Sequence, residues 1–265
     1  MSRQAAAPVW DPVQYGAFGD HRARPFDELL ARVDLTAPAH IADLGCGSGE
    51  LTARLARRWP DASIEALDAS PEMIDAARAH AIPGRLAFTV GDLTRWRPRR
   101  PVDLIISNAV LHWIPGHTDL LPRWTADLTP GGRLAFQVPG NHDAPSHALL
   151  RELCQAPRWR HRLGGLAPQR PVLDPQGYLD LLTRHGCEVD AWETTYIQVL
   201  QGDDPVLEWV KGTTLRPILT ALDTGEAHDF LNAYGALLRQ AYPPGPYGTA
   251  FPFRRVFVIA GRAGP

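Results

Sequence analysis

The chain is short of lysine, of cysteine and of long apolar runs, and each shortage excludes something. Lys211 is the single lysine in 265 residues, so nearly all positive charge sits on arginine, whose planar fork suits carboxylates. Acidic and basic residues nearly cancel to a net charge of -2, which leaves no general basic field for nucleic acid. The three cysteines, Cys46, Cys154 and Cys187, are far apart and lack CxxC spacing. That argues against a disulfide framework or a zinc site and favours a reducing compartment. No run approaches the roughly 18 apolar residues of a membrane span, and "MSRQAAAPVW" lacks the apolar core of a signal peptide. A cytoplasmic protein with no membrane or nucleic-acid partner and no metal is the expectation. A monomer is compatible with the sequence, which leaves the oligomeric state open.

What is present is an alternation. "HIADL" reads as a buried strand, "GELTARLARRW" as a helix, "ASIEALD" as a strand, and "SPEMIDAARAH" as a helix capped by Ser70 with Pro71 in its first turn. "RLAFTV", "VDLIISN" and "GGRLAFQV" are further strands, and "HTDLLPRWTADL" reads as one helix despite Pro122. Strands alternating with helices mean a parallel sheet with right-handed crossovers. Past Pro139 the rhythm changes to helices at "SHALLRELC", "PQGYLDLLTRHG", "PVLEWVKGTTLRPIL" and "AHDFLNAYGALLRQAY". "RWRHRLGGLAPQRP" reads as a loop, and "CEVDAWETTYIQVL" and "FPFRRVFVIAG" as strands. The expected organisation is one domain over 1–265. An N-terminal arm covers 1–24, where Trp10, Tyr15 and Phe18 should pack on something. An α/β core covers 25–139, 174–199 and 248–262, and helical cap insertions cover 140–173 and 200–247.

The informative stretch is "IADLGCGSGE" at 41–50. Glycine lets backbone approach a ligand closely, because it has no Cβ. The dinucleotide spacing G-x-G-x-x-G puts a pyrophosphate on a helix N-terminus. Here Gly45, Gly47 and Gly49 alternate and Asp43 precedes them, and an acid at that turn is a poor host for pyrophosphate but suits an ammonium group. The next strand ends at Asp68, about 20 residues on, where an acid can accept from ribose hydroxyls. Asp92, in the "GDL" after the third strand, can accept from an adenine amino group. A nucleoside bearing an amino acid, S-adenosylmethionine, satisfies all three.

"DLGCGSG", "ALDASPEM", "GDL", "DLIISNAVLHW" and "LTPGGRLAFQV" resemble, in order and spacing, the motifs of class I S-adenosylmethionine-dependent methyltransferases. That resemblance implies an α/β, Rossmann-like, doubly wound sheet of seven strands, mostly parallel with the C-terminal strand antiparallel, plus the helical cap. It also implies roles. Asp43 orients the loop, Gly45 and Gly47 admit the methionine part, and Asp68 takes the ribose diol. Ala69 and Met73 flank the adenine, and Asp92 and Leu93 meet its edge. Asn108 and Ala109 offer backbone to the methionine amine, Tyr15 and Arg24 belong to the arm over the cofactor, and His112 and Trp113 stand at the substrate mouth as the catalytic pair.

Segments of the arm and cap ("VWDPVQYGAFGDHRARP", "LHWIPGH", "AWETTYIQVL", "EWVKGTTLRP", "FPFRRVFVIA") further resemble the trans-aconitate 2-methyltransferase family. This implies methyl-ester formation on a small anionic polycarboxylate, with S-adenosylhomocysteine as co-product. A phenol or amine acceptor is the alternative. A tricarboxylate calls for cations and hydrogen-bond donors. Arg22, Lys211, Arg216 and Arg254 are the candidate cations, and Tyr196 and Trp209 the candidate donors or walls. Strand residues alternate faces, so at most one of Arg254 and Arg255 should face such a pocket.

Overall fold

A computed structural model describes residues 19–166, 172–212 and 214–262, with side chains from 23 onward. Trp10, Tyr15 and Phe18 of the arm, and the side chain of Arg22, lie outside the described residues. The chain falls into two compact units. The first comprises 1–138, 173–193 and 256–265, the second 139–172 and 194–255.

The first unit begins with α1 (Gly19–Ala31), whose Phe26, Leu29 and Leu30 are buried. β1 (His40–Leu44) runs through the glycine loop into α2 (Glu50–Arg58). β2 (Ser63–Asp68) leads into α3 (Pro71–Ala77), where Ser70 Oγ accepts from Met73 N at 3.2 Å and Pro71 occupies the first turn, as the sequence suggests. β3 (Leu86–Val90) and β4 (Val102–Asn108) follow. The "HTDLLPRWTADL" helix is broken in two. His117–Asp119 make a 3₁₀ turn, and α4 (Leu121–Ala126) starts so that Pro122 falls in its first turn, where its missing N–H costs nothing. β5 (Leu128–Pro139) completes the parallel set.

The second unit carries α5 (Pro145–Gln155) and α6 (Arg160–Leu163), the latter a short helix within the stretch expected to be a loop. α7 (Pro175–Thr183) and the start of β6 (Cys187–Leu200) return to the first unit. α8 (Pro205–Lys211), α9 (Arg216–Thr220) and α10 (Thr224–Ala241) then build the second unit's own core, with Leu150, Val210, Phe230 and Phe251 packed together. β7 (Pro244–Gly245) pairs antiparallel with β8 (Gly248–Arg262).

The sheet runs β3-β2-β1-β4-β5-β8-β6, with β7 paired to β8. β1, β2, β3, β4 and β5 pair in parallel. The two-residue β7 raises the expected seven strands to eight. From β1 the chain winds outward through β2 to β3, then resumes on the other side at β4. The crevice beyond the carboxyl ends of β1 and β4 is thus a topological switch point, where ligands of open α/β sheets bind. Among the described residues, no helix is long and apolar enough to cross a membrane.

Candidate active site

The glycine loop occupies that switch point. Gly45, Gly47 and Gly49 all adopt left-handed backbone, with φ of 89°, 55° and 82°, a region that penalises residues with a Cβ. Their surroundings differ. A Cβ on Gly45 would lie 2.2 Å from Val110 Cγ2, and one on Gly49 would lie 2.9 Å from Ala77 Cβ and Phe88 Cζ. Among the described residues, one on Gly47 would meet nothing within 4 Å. Gly45 and Gly49 thus make room for the protein itself, while Gly47 leaves open the space that a ligand can fill.

Asp68 ties the loop to β2. Its Oδ2 accepts from Gly47 N at 2.9 Å and its Oδ1 from Ser70 N at 2.9 Å. The Leu67 carbonyl accepts from both Gly45 N (2.7 Å) and Cys46 N (3.0 Å). Each carboxylate oxygen keeps a further lone pair, so Asp68 can bridge the loop and a diol together. Asp43 is 3% exposed, and its Oδ2 accepts from Thr52 Oγ1 at 2.6 Å. Sequence reading passed over Thr52, whose signal is its place in the first turn of the helix that follows the loop. Burial pushes the Asp43 carboxyl up to about 7; the Thr52 hydrogen bond works against the rise and the Asp68 charge adds to it. Burial, with those two acids nearby, also raises the Cys46 thiol, so Cys46 is filler within the loop and not a nucleophile.

The raised Asp43 pKa has a consequence for stability. Between about pH 4 and 7 the folded chain keeps a proton that the unfolded chain, with an ordinary aspartate near 4, has released. Stability from this group is therefore present below about pH 4 and lost as pH rises towards 7. Asp43→Asn is expected to flatten the decline of the parent's melting temperature across pH 4–7, as followed by circular dichroism. Parallel pH profiles for the two proteins would refute this.

Further along the rim, Asp92 is exposed, and its Oδ1 is occupied by Thr94 N (2.8 Å) and Thr94 Oγ1 (2.7 Å). Its second oxygen takes neither of these bonds. Met73 and Leu93 are buried and Ala69 is exposed. At the end of β4, Ala109 holds a left-handed φ of 57°. The Gln137 carbonyl accepts its N–H at 2.9 Å, and Gln137 Nε2 donates to Asn108 Oδ1 at 2.6 Å. A strained alanine kept in place by a buried neighbour is the sort of backbone that functional sites retain. His112 and Trp113 follow in a 3₁₀ turn, with ring centroids 4.7 Å apart and Trp113 48% exposed. The first unit thus gathers Asp43, Gly45, Gly47, Asp68, Asp92 and Asn108 around the carboxyl ends of its strands, whereas Arg24 stands on α1, exposed.

The candidate acceptor residues other than Arg22 all belong to the second unit. Lys211 Nζ donates to Glu208 Oε1 at 2.5 Å within α8, and Arg216 is exposed. Trp209 packs at 6.0 Å on both Phe251 and Phe253, and Tyr196 is buried. Arg254 Nη1 donates to the Gly140 carbonyl at 3.1 Å, and Arg255 lies over the Phe253 ring at 4.7 Å.

Residues 41–132 match the methyltransferase domain family. The whole chain is 56% identical to the trans-aconitate 2-methyltransferase of Streptomyces avermitilis over 263 residues, covering 97% of this chain and 98% of that protein. The chain belongs to the trans-aconitate 2-methyltransferase family. Its counterpart in Rhodococcus jostii is 50% identical over 256 residues, covering 95% and 99%. Among solved structures, an S-adenosylmethionine-dependent methyltransferase of Thiobacillus denitrificans with S-adenosyl-L-homocysteine superimposes at a TM-score of 0.57 with 18% identity, covering 96% and 100%. That likeness supports the fold.

The family implies S-adenosylmethionine, and the first unit fits it. The open face of Gly47 leaves room for a ligand against backbone, the buried Asp43 suits a cationic amino-acid portion, and Asp68 keeps acceptor capacity for a diol. Of these features it is Asp43 that disfavours a pyrophosphate, whose charge an adjacent ionised acid would repel.

Proposed function

We propose that the chain transfers a methyl group from S-adenosylmethionine to a carboxylate of trans-aconitate, giving a monomethyl ester and S-adenosylhomocysteine. The observation that carries this is the 56% identity over 97% of the chain to a protein of that name. The intact, ligand-ready glycine loop supports it.

When bound, S-adenosylmethionine supplies a methyl group on a sulfonium, activated for attack by an anionic oxygen. Asp43, Gly47, Asp68, Asp92 and the Asn108–Ala109 turn hold and orient it, with Ala69, Met73 and Leu93 beside the adenine. The acceptor carboxylate is already ionised at neutral pH, its reference pKa being about 4, so no side chain has to remove a proton. The protein's task is alignment and exclusion of water. His112 and Trp113 take the positioning role at the mouth, with the exposed Trp113 ring as a wall. The residues proposed to bind the acceptor are Tyr196, Trp209, Lys211, Arg216, Arg254 and Arg22, and Tyr15 and Arg24 are proposed to bind the cofactor. Arginine forks match carboxylates two bonds at a time.

Purified protein given methyl-labelled cofactor and trans-aconitate should release a base-labile labelled monomethyl ester. Labelled product from a phenol or amine, with none from any small polycarboxylate, would overturn the assignment.

A further inference from the structure

Asn141 lies just beyond the end of β5 and is 5% exposed. Its Oδ1 accepts from Arg254 N at 2.7 Å, which fixes the orientation of the amide. Its Nδ2 is buried and has no hydrogen-bond partner among the described residues. Folded proteins seldom leave a buried donor unmatched, because the group loses its water without replacement. A donor of this kind, held in place by its own oxygen, is suited to an acceptor atom brought by a ligand.

The backbone on either side of it is held by cations. Arg254 Nη1 donates to the Gly140 carbonyl at 3.1 Å, and Arg151 Nη1 donates to the His142 carbonyl at 2.5 Å, so two guanidinium groups flank residues 140–142. Arg158, Arg162 and Arg239 of the same unit each pair with a carboxylate, from Asp229, Glu226 and Asp204. Among the described residues, no carboxylate pairs with Arg151. Asp143 approaches His142 Nε2 only at 4.0 Å, with its side chain 63% exposed. His147, one helical turn before Arg151, has its pKa pulled down to about 4 by burial and by the neighbouring His142 and Arg151.

The platform is rigid. Tyr242 Oη accepts from Ser146 N at 3.0 Å and Tyr234 Oη donates to the Ser146 carbonyl at 2.6 Å, pinning the first turn of α5, which carries His147 and Arg151.

We propose that Asn141 and Arg151, together with Arg254, form a recognition site for one carboxylate of the acceptor, with Asn141 Nδ2 as the buried donor. This rests on the proposed acceptor class and adds two residues to it. Asn141 and Arg151 are specificity determinants that touch a carboxylate which is not methylated, and they leave the methyl donor alone.

The test compares the parent, Asn141→Ala, Asn141→Asp and Arg151→Gln. Asn141→Asp keeps the oxygen that accepts from Arg254 N and replaces the donor with a negative charge. The KM for trans-aconitate should rise about tenfold in Asn141→Ala and Arg151→Gln and further in Asn141→Asp, as loss of a charge-assisted hydrogen bond implies. The calorimetric Kd for S-adenosylhomocysteine should stay within about twofold of the parent's. Trans-aconitate should also raise the parent's melting temperature in the presence of S-adenosylhomocysteine, and raise that of Asn141→Asp less. If Asn141→Asp does not fold, Asn141→Ser serves in its place. Folded variants with the parent's acceptor KM, or with cofactor Kd raised in proportion, would overturn the site and leave the proposed reaction standing. A parent that methylates no small polycarboxylate would remove both, and that is seen before any variant is made.

Discussion

Asp68→Ala is expected to weaken binding of S-adenosylmethionine about a hundredfold or more, as read by calorimetry. One carboxylate there does three things. It accepts the Gly47 N–H and the Ser70 N–H, fixing both the loop and the start of α3, and its remaining lone pairs are the ones proposed to take the ribose diol. Hydrogen bonds to a charged acceptor contribute about 1.5–3 kcal/mol each, so losing even one to the ligand, together with the loop's anchor, reaches that range. Asp68→Asn keeps the shape and one acceptor oxygen, and should fall between the parent and the alanine variant. Measurements belong well below each variant's melting temperature, because the two backbone bonds also support the fold. A folded Asp68→Ala with the parent's affinity would end the ribose assignment.

Gly45→Ala should be the most damaging single methyl group in the glycine loop. It meets two independent penalties. Left-handed backbone costs a residue with a Cβ roughly 1–2 kcal/mol, and the new carbon would sit 2.2 Å from Val110 Cγ2, an overlap whose relief costs about 1–3 kcal/mol. The melting temperature should fall on the order of 10 °C. Adding Val110→Ala should recover most of the steric part, removing both γ-methyl groups but leaving the Val110 Cβ at 2.9 Å, and leave the backbone part, a non-additivity expected only of residues in contact. Gly47→Ala provides the contrast. With nothing among the described residues within 4 Å of its Cβ, it should lose only about 1–2 kcal/mol of stability and show its main effect on cofactor affinity, because the methyl group would enter the space proposed for the ligand. Equal destabilisation by the two substitutions would refute this division of labour.

That division shows where sequence reading stops. The alternating glycines place a tight loop after β1, and they do so because few other residues tolerate that backbone. They do not say which glycine faces protein and which faces ligand. Thr52 went unremarked because a threonine in a first helical turn has many ordinary uses; its significance comes from a buried acid nine residues earlier. The resemblance named Ala109, but nothing announced its left-handed backbone, since alanine is a poor choice for that conformation. It is held there by the carbonyl of Gln137, a residue of the neighbouring strand. Pro122 was visible as a helix breaker, but its place in a first turn depended on the 3₁₀ segment before it.

Local chemistry was determined by the sequence alone. The strand–glycine loop–helix unit, the acids closing the first two loops, the Ser70–Pro71 helix start and the change of rhythm after Pro139 follow from backbone preference and periodicity within about ten residues. The tertiary structure decided what depends on sheet order. It set Val110 against Gly45, buried Asp43 so that its proton is held towards neutrality, and left Asn141 Nδ2 as an enclosed donor beside Arg254. These features arise from contacts between segments far apart in the chain. Burial and charge at such contacts are properties of the packed arrangement, so no local pattern of residues encodes them.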